Sequence, residues 1–177
     1  MANTVYIAQS LDGYIADIDG NIDWLQAIPN PENSDFGWTD FLARIDAVVM
    51  GKNTFLKVLS FDCPWAYPLP VFVLSTSMKS IPAGYENKIE LISAIPHEVI
   101  KFIEAKGYKN LYIDGGVTIQ SFLKEDMIDE LIITTLPILL GDGYSLFGKL
   151  DIQLQFKHVK TEILLGEMIK STYKRSR

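Results

Sequence analysis

Chemically reactive side chains are scarce in this 177-residue sequence. Cys63 is the only cysteine, so no internal disulfide can form, and its expected role is that of a small buried thiol. The two histidines, His97 and His158, sit at the start of a helical pattern and in the polar alternation of a strand. Neither neighbours a second ligand or a nucleophile, so both are read as structural. No cysteine–histidine set has zinc spacing, and there is no Gly-x-Ser-x-Gly elbow. Gly51-Lys52 lacks the glycine of a P-loop, because Asp46 stands where it belongs. GDGYSL (141–146) fails the dinucleotide fingerprint at its last position. The net charge of −6 and the lack of a basic stripe argue against a nucleic-acid partner. No apolar run approaches the roughly 20 residues of a membrane helix. No charged and apolar leader precedes Val5-Tyr6-Ile7-Ala8, which with the single cysteine points to the cytoplasm. A chain so poor in reactive groups suits chemistry carried by a cofactor.

What is present is core. Apolar residues make up 48% of the chain, and its length suits one domain spanning 1–177. Strand-length apolar runs recur at 4–9, 46–50, 70–75, 89–92, 110–114 and 130–136. Several lack alternation, as expected of strands buried on both faces. Helical patterns lie between them at 38–45, 51–60 and 96–107. The last has Pro96 for its first turn and Gly107 for its C-terminal cap. Alternating strands and helices imply parallel pairing. Residues 153–163 and 167–173, around Gly166, read as an antiparallel closing hairpin. The fold class expected is α/β, with a central, mainly parallel sheet and an antiparallel edge.

Three strand ends carry features that favour anions. In LYIDGGVTIQSFL (111–123) a strand hands over to a helix through Gly115 and Gly116. Glycines there expose N–H groups and let a diphosphate approach, although a plain tight turn explains them equally well. VVMGKNT repeats the pattern, with Thr54 able to cap and Lys52 adding positive charge. VFVLSTS ends in three hydroxyls, Ser75, Thr76 and Ser77. In a parallel sheet all three lie at the carboxyl edge, where ligands of open α/β sheets bind. Together they suggest a dinucleotide lying across that edge.

These segments, in this order with IAQSLDGYIA (7–16) and ELIITTLPILLGDGYSLF (130–147), resemble the dihydrofolate reductase fold family. The resemblance is nearest the reductase domain of riboflavin biosynthesis. It implies a three-layer fold, NADPH as cofactor and reduction of a planar nitrogen heterocycle such as a pterin or aminopyrimidine. It places Ala8, Ile15 and Ala16 at the nicotinamide, and Gly51, Lys52, Asn53 and Thr54 at the pyrophosphate. Leu74, Ser75 and Thr76 fall at the adenosine phosphate. Gly115, Gly116, Val117 and Thr118 complete the cradle, with a cis peptide joining the two glycines. It also implies a homodimer. The family's acid falls on Asp35, with Asp40 as the fallback and Thr134 beside it; a helix cap explains Asp35 equally well. In an apolar pocket its carboxyl would be pushed upward. Trp24, Trp38 and Phe41 are candidates for the pocket walls. Two departures put the substrate in doubt. Leu69 or Pro70 stands where folate enzymes have an arginine, and FDCPWAYP lacks the Asp-Asn-Pro segment of the riboflavin-pathway enzymes. The alternative is a nucleotide-binding or interaction module that kept the fold without the reaction.

Overall fold

The structure, a computed structural model, describes residues 2–177. Its centre is an eight-stranded sheet. In chain order the strands are β1 (Ala2–Gln9), β3 (Ala47–Gly51), β4 (Val71–Leu74), β5 (Ile89–Ile92), β6 (Asn110–Asp114), β7 (Glu130–Thr135), β9 (Phe156–Leu164) and β10 (Met168–Arg175). Their spatial order is β5-β4-β3-β6-β1-β7-β10-β9. Every pairing from β5 to β7 is parallel, and β10 and β9 close the sheet antiparallel. The expected strand runs and the closing hairpin are all found, within a few residues at their ends. A separate ribbon pairs β2 (Tyr14–Ala16) with β8 (Tyr144–Ser145); neither was expected.

Helices α3 (Pro96–Ala105) and α4 (Gly116–Lys124) cover one face of the sheet. Val5, Val49 and Ile113 of the strands meet Val99, Ile103, Ile119 and Phe122 there. On the other face, α1 (Trp38–Leu42) and α2 (Lys52–Leu59) bring Phe41 and Phe55 against Val48, Met50, Val73, Tyr112 and Ile132. The alternation along each parallel strand thus divides its apolar residues between two cores, which explains the absence of a polar face. Helix α3 begins on Pro96, and Gly107 lies just past its end at φ +94°, as the sequence implies. Helix α1 is shorter than expected.

Cys63 is exposed, contrary to expectation. It lies in the turn-rich connection between α2 and β4, outside either core. His97 Nδ1 lies 3.5 Å from Glu125 at the surface, and His158 Nε2 lies 2.8 Å from Thr161 Oγ1. Among the described residues no helix is long and apolar enough to cross a membrane.

Candidate active site

Parallel pairing brings the carboxyl ends of β3, β4, β6 and β1 to one edge. There β3 runs directly into α2 and β6 into α4, so two helix N-termini open side by side. Their contact is close enough to require glycine. A Cβ on Gly51 would stand 3.0 Å from Thr118 Oγ1, and one on Gly115 would run into Thr54 Oγ1. One on Gly116 would stand 2.9 Å from Ile15 Cδ1 and 3.5 Å from Ser145 O. Gly115 also adopts φ +87°, which disfavours any side chain. Six of the expected residues (Ile15, Gly51, Thr54, Gly115, Gly116 and Thr118) therefore form one contiguous surface. Val117 and Asn53 stand exposed on the first turns beside it. Thr54 does not cap α2, whose N-cap is Gly51. No peptide among the described residues is cis, so the expected cis link between the glycines is absent; the positive φ of Gly115 makes the turn instead.

One strand over, Leu74 lies in register with Gly51. Ser75 Oγ accepts the N–H groups of Ser77 and Met78, and Lys52 Nζ donates to Ser77 Oγ at 3.1 Å. Lys52 and the hydroxyl run, distant in sequence, thus form one polar cluster, with Thr76 exposed beside it. This arrangement offers charge-assisted bonds to a phosphate.

The loop after β1 is clasped to the loop after β7. The Asp12 carboxylate accepts from Ser10 Oγ at 2.5 Å and from the N–H groups of Leu140 and Gly141 at 3.2 and 2.8 Å. The Ser10 bond is foremost in holding the Asp12 carboxyl below its ordinary range. Ala16 O packs against Gly143, where a Cβ has no room. These two loops form one wall of the site, with Ile15 and Ala16 on the short β2–β8 ribbon.

Asp35 does not line an apolar pocket. Asp35 is exposed, and its oxygens accept the N–H groups of Gly37 at 2.9 Å and Thr39 at 3.0 Å. The Thr39 hydroxyl, followed by these N–H groups, lowers its pKa to about 2. The expected upward shift is therefore reversed, because Asp35 caps the start of α1 in water rather than lining an apolar pocket. Asp40 is exposed on the first turn of α1. The shielded acid is Asp114, the last residue of β6, which directly precedes the glycine pair. Burial raises its carboxyl above the ordinary range; the Tyr112 hydroxyl, Gly115 N–H and Tyr67 hydroxyl offset part of the rise. Gly115 N–H donates to Oδ1 at 2.8 Å, and Tyr67 Oη donates to Oδ2 at 3.3 Å. The signal was present in the sequence: an acid closing an otherwise apolar strand, immediately before Gly-Gly.

Thr134 is in register with Ala8, so both lie at the level of the site floor on the α1 side of the sheet. Trp38 and Phe41 pack with Tyr6 and Tyr112 on that side; Trp38 also meets Tyr67 edge-on at 6.2 Å. Trp24 lies apart, on a single 3-10 turn, with its indole N–H buried and unpartnered. A cleft of about 230 Å³ is lined by Leu25, Ile28, Pro29, Phe36 and Met168. Another, of about 260 Å³, lies at the opposite end of β4 and β5, away from the glycines.

The sequence profile of the RibD C-terminal domain matches residues 4–169. The uncharacterized Bacillus subtilis protein YwjB is 33% identical, with 97% of each chain covered. A crystal structure of a Shewanella sp. PV-4 protein, assigned provisionally to riboflavin biosynthesis, is 54% identical and superposes over the whole of both chains with a TM-score of 0.97. Dihydrofolate reductase of Enterococcus faecalis, solved with NADP(H), is 16% identical; 99% of this chain and 97% of that one align, with a TM-score of 0.67. At that identity the likeness shows the fold alone.

Proposed function

The chain belongs to the RibD C-terminal domain family, and from that premise we propose that it is an NADPH-dependent reductase of a planar nitrogen heterocycle. One observation carries the reading: two helix N-termini open onto the same edge, separated by glycines that leave no room for side chains, with a lysine–hydroxyl cluster one strand away. N–H groups of Gly116, Val117, Asn53 and Thr54 would hold a pyrophosphate there. Lys52, Ser75 and Thr76 would receive the 2′-phosphate of NADPH, and Ala8, Ile15 and Ala16 would border the nicotinamide. When bound, NADPH supplies hydride.

The chain's own task is to orient the ring and deliver a proton. In this proposal Asp114 takes the role first given to Asp35. A carboxyl raised by burial retains its proton closer to neutral pH than an exposed one does. Tyr67 and the Gly115 N–H fix its two oxygens, so it can address a ring nitrogen in a set direction. The Thr134 hydroxyl would hydrogen-bond the same ring. A homodimer belongs to the same proposal and rests on the family alone, and a cytoplasmic location fits the single cysteine.

The experiment is NADPH consumption across dihydropteridines and aminopyrimidines, the aminouracil reduced in riboflavin biosynthesis included. Turnover of at least one compound is expected. NADPH binding with no consumption on any ring would leave a nucleotide-binding module and overturn the reductase.

A further inference from the structure

The segments that wall the mouth of the site carry charge of one sign. Residues 1–43 hold seven carboxylates, from Asp12 to Asp40, and no lysine, arginine or histidine. Residues 135–148, which include the facing loop, add Asp142 and no basic residue. Past Ala16 the chain crosses the carboxyl edge. The backbone of Ala16 and Asp17 abuts Gly143 at one end, and at the other Asn21 Oδ1 accepts from Lys57 Nζ of α2 at 3.4 Å. The crossing segment carries Asp17 and Asp19, and Asp23 follows on the next turn. Asp19 and Asp23 are exposed. Among the described residues Lys57 is the only cation bonded to residues 17–23, against these three carboxylates. A ring that receives hydride must lie beside the nicotinamide, which Ile15 and Ala16 are proposed to border, so this acidic segment stands next to it.

The cations suited to a phosphate are committed elsewhere. Arginine matches phosphate geometry best, and the chain has Arg44, Arg175 and Arg177 alone. Arg44 pairs with Glu130 at 2.7 Å, Arg175 with Asp126 at 2.6 Å, and Arg177 with Asp126 and Asp129. Those carboxylates stand at or just before the start of β7, so the pairs lie at the amino edge of the parallel strands, opposite the glycines. Lys170 is 10% exposed and donates to Phe36 O at 2.9 Å. Lys52 belongs to the hydroxyl cluster through Ser77. Charge is thus divided along the carboxyl edge, positive where the cofactor phosphate is proposed and negative where the ring would enter. A cleft walled by one sign focuses its field and disfavours a ligand of the same sign. We propose that the ring substrate carries no phosphate or other anionic tail, so that its class is a neutral or cationic nitrogen heterocycle. This rests on the reductase reading above and narrows its substrate.

The test compares rings that differ only in a phosphate, by calorimetric titration, which needs no turnover. One pair is 6-hydroxymethylpterin and its phosphate ester, and the other is 5-amino-6-ribitylaminouracil and its 5′-phosphate. The proteins are the wild type, Asp19→Lys, and Asp19→Lys combined with Asp23→Lys, each with its NADPH affinity measured separately. For at least one pair the wild type should bind the unphosphorylated member about 10-fold or more tightly at low salt, as like charges brought together require. The gap should shrink in about 0.5 M salt, which screens exposed charges. It should also shrink in Asp19→Lys and close or reverse in the double variant. Tighter wild-type binding of a phosphorylated member overturns the proposal, as does equal binding within both pairs. So does a preference indifferent to both salt and the lysines, which would make the shape of the tail decisive rather than its charge, and so does binding of no ring in either form. Failure of the reductase reading shows up differently, as loss of NADPH binding in the wild type.

Discussion

Gly115 and Thr54 meet where the N-termini of α4 and α2 converge, and the hydroxyl of Thr54 occupies the space a Cβ on Gly115 would need. Two independent penalties therefore fall on any replacement of Gly115: the collision and the φ of +87°. Gly115→Ala should lower stability by about 3 kcal/mol, combining overpacking with a backbone forced into the left-handed region. For a chain of this size each kcal/mol is roughly 2–4 °C in Tm. Thr54→Ala combined with Gly115→Ala should recover the steric part and leave the backbone part. A double variant no more stable than the single would show that the collision contributes nothing.

Asp114 sets a pH dependence of the opposite sign to that of most carboxylates. Its carboxyl is raised in the folded state, so the ionised form opposes folding at neutral pH, and the opposition fades as pH falls toward the unfolded value. Asp114→Asn should raise Tm at pH 7, and the gain should shrink toward pH 4. Turnover of any identified substrate should fall by about 10²-fold, the usual loss when acid–base help is removed, while NADPH affinity holds. Unchanged turnover would take the acid role away from Asp114.

Asp35 behaves in the ordinary direction. Its pKa is lowered to about 2, first by the Thr39 hydroxyl, so its stabilising effect is present above pH 4 and is lost as pH falls through 2. Asp35→Asn should melt earlier than the wild type at pH 7, and the two should converge by about pH 2. Hydride-transfer rates should be equal in the two proteins at neutral pH. A large rate loss in Asp35→Asn would restore its catalytic assignment.

The convergence of strand ends proposed to hold the cofactor was legible in the sequence because its signal is local. Gly51-Lys52 and Gly115-Gly116 each mark a strand-to-helix handover, and parallel pairing alone brings such handovers to one edge. The acid proposed here, Asp114, was not legible in the same way. Asp35 precedes Phe36 and Asp114 lies two positions after Tyr112, so neither carboxylate stands out by its sequence neighbours. What separates them is that Asp114 ends a strand buried between two others, whereas Asp35 precedes a short helix at the surface. Cys63 misled because a small thiol is usually buried, and the turns that expose it leave no periodic pattern.

The Asp12 clasp couples two loops that wall the site. Asp12→Ala removes acceptors for the Leu140 and Gly141 N–H groups and for Ser10 Oγ together. Hydrogen exchange should accelerate in residues 10–14 and 138–143 alike, with little change in β3 or β6. Acceleration confined to residues 10–14 would show that the two loops move independently.

Titration of NADPH and NADH against the wild type and Lys52→Met, followed by tryptophan fluorescence, bears most directly on the carboxyl edge as an NADPH site. The wild type should bind NADPH more tightly than NADH, and Lys52→Met should bring the NADPH affinity down toward that for NADH while leaving NADH unchanged. Failure of the wild type to bind NADPH would contradict the assignment of the site, and equal affinity for the two dinucleotides would remove the 2′-phosphate from the Lys52–Ser75 cluster.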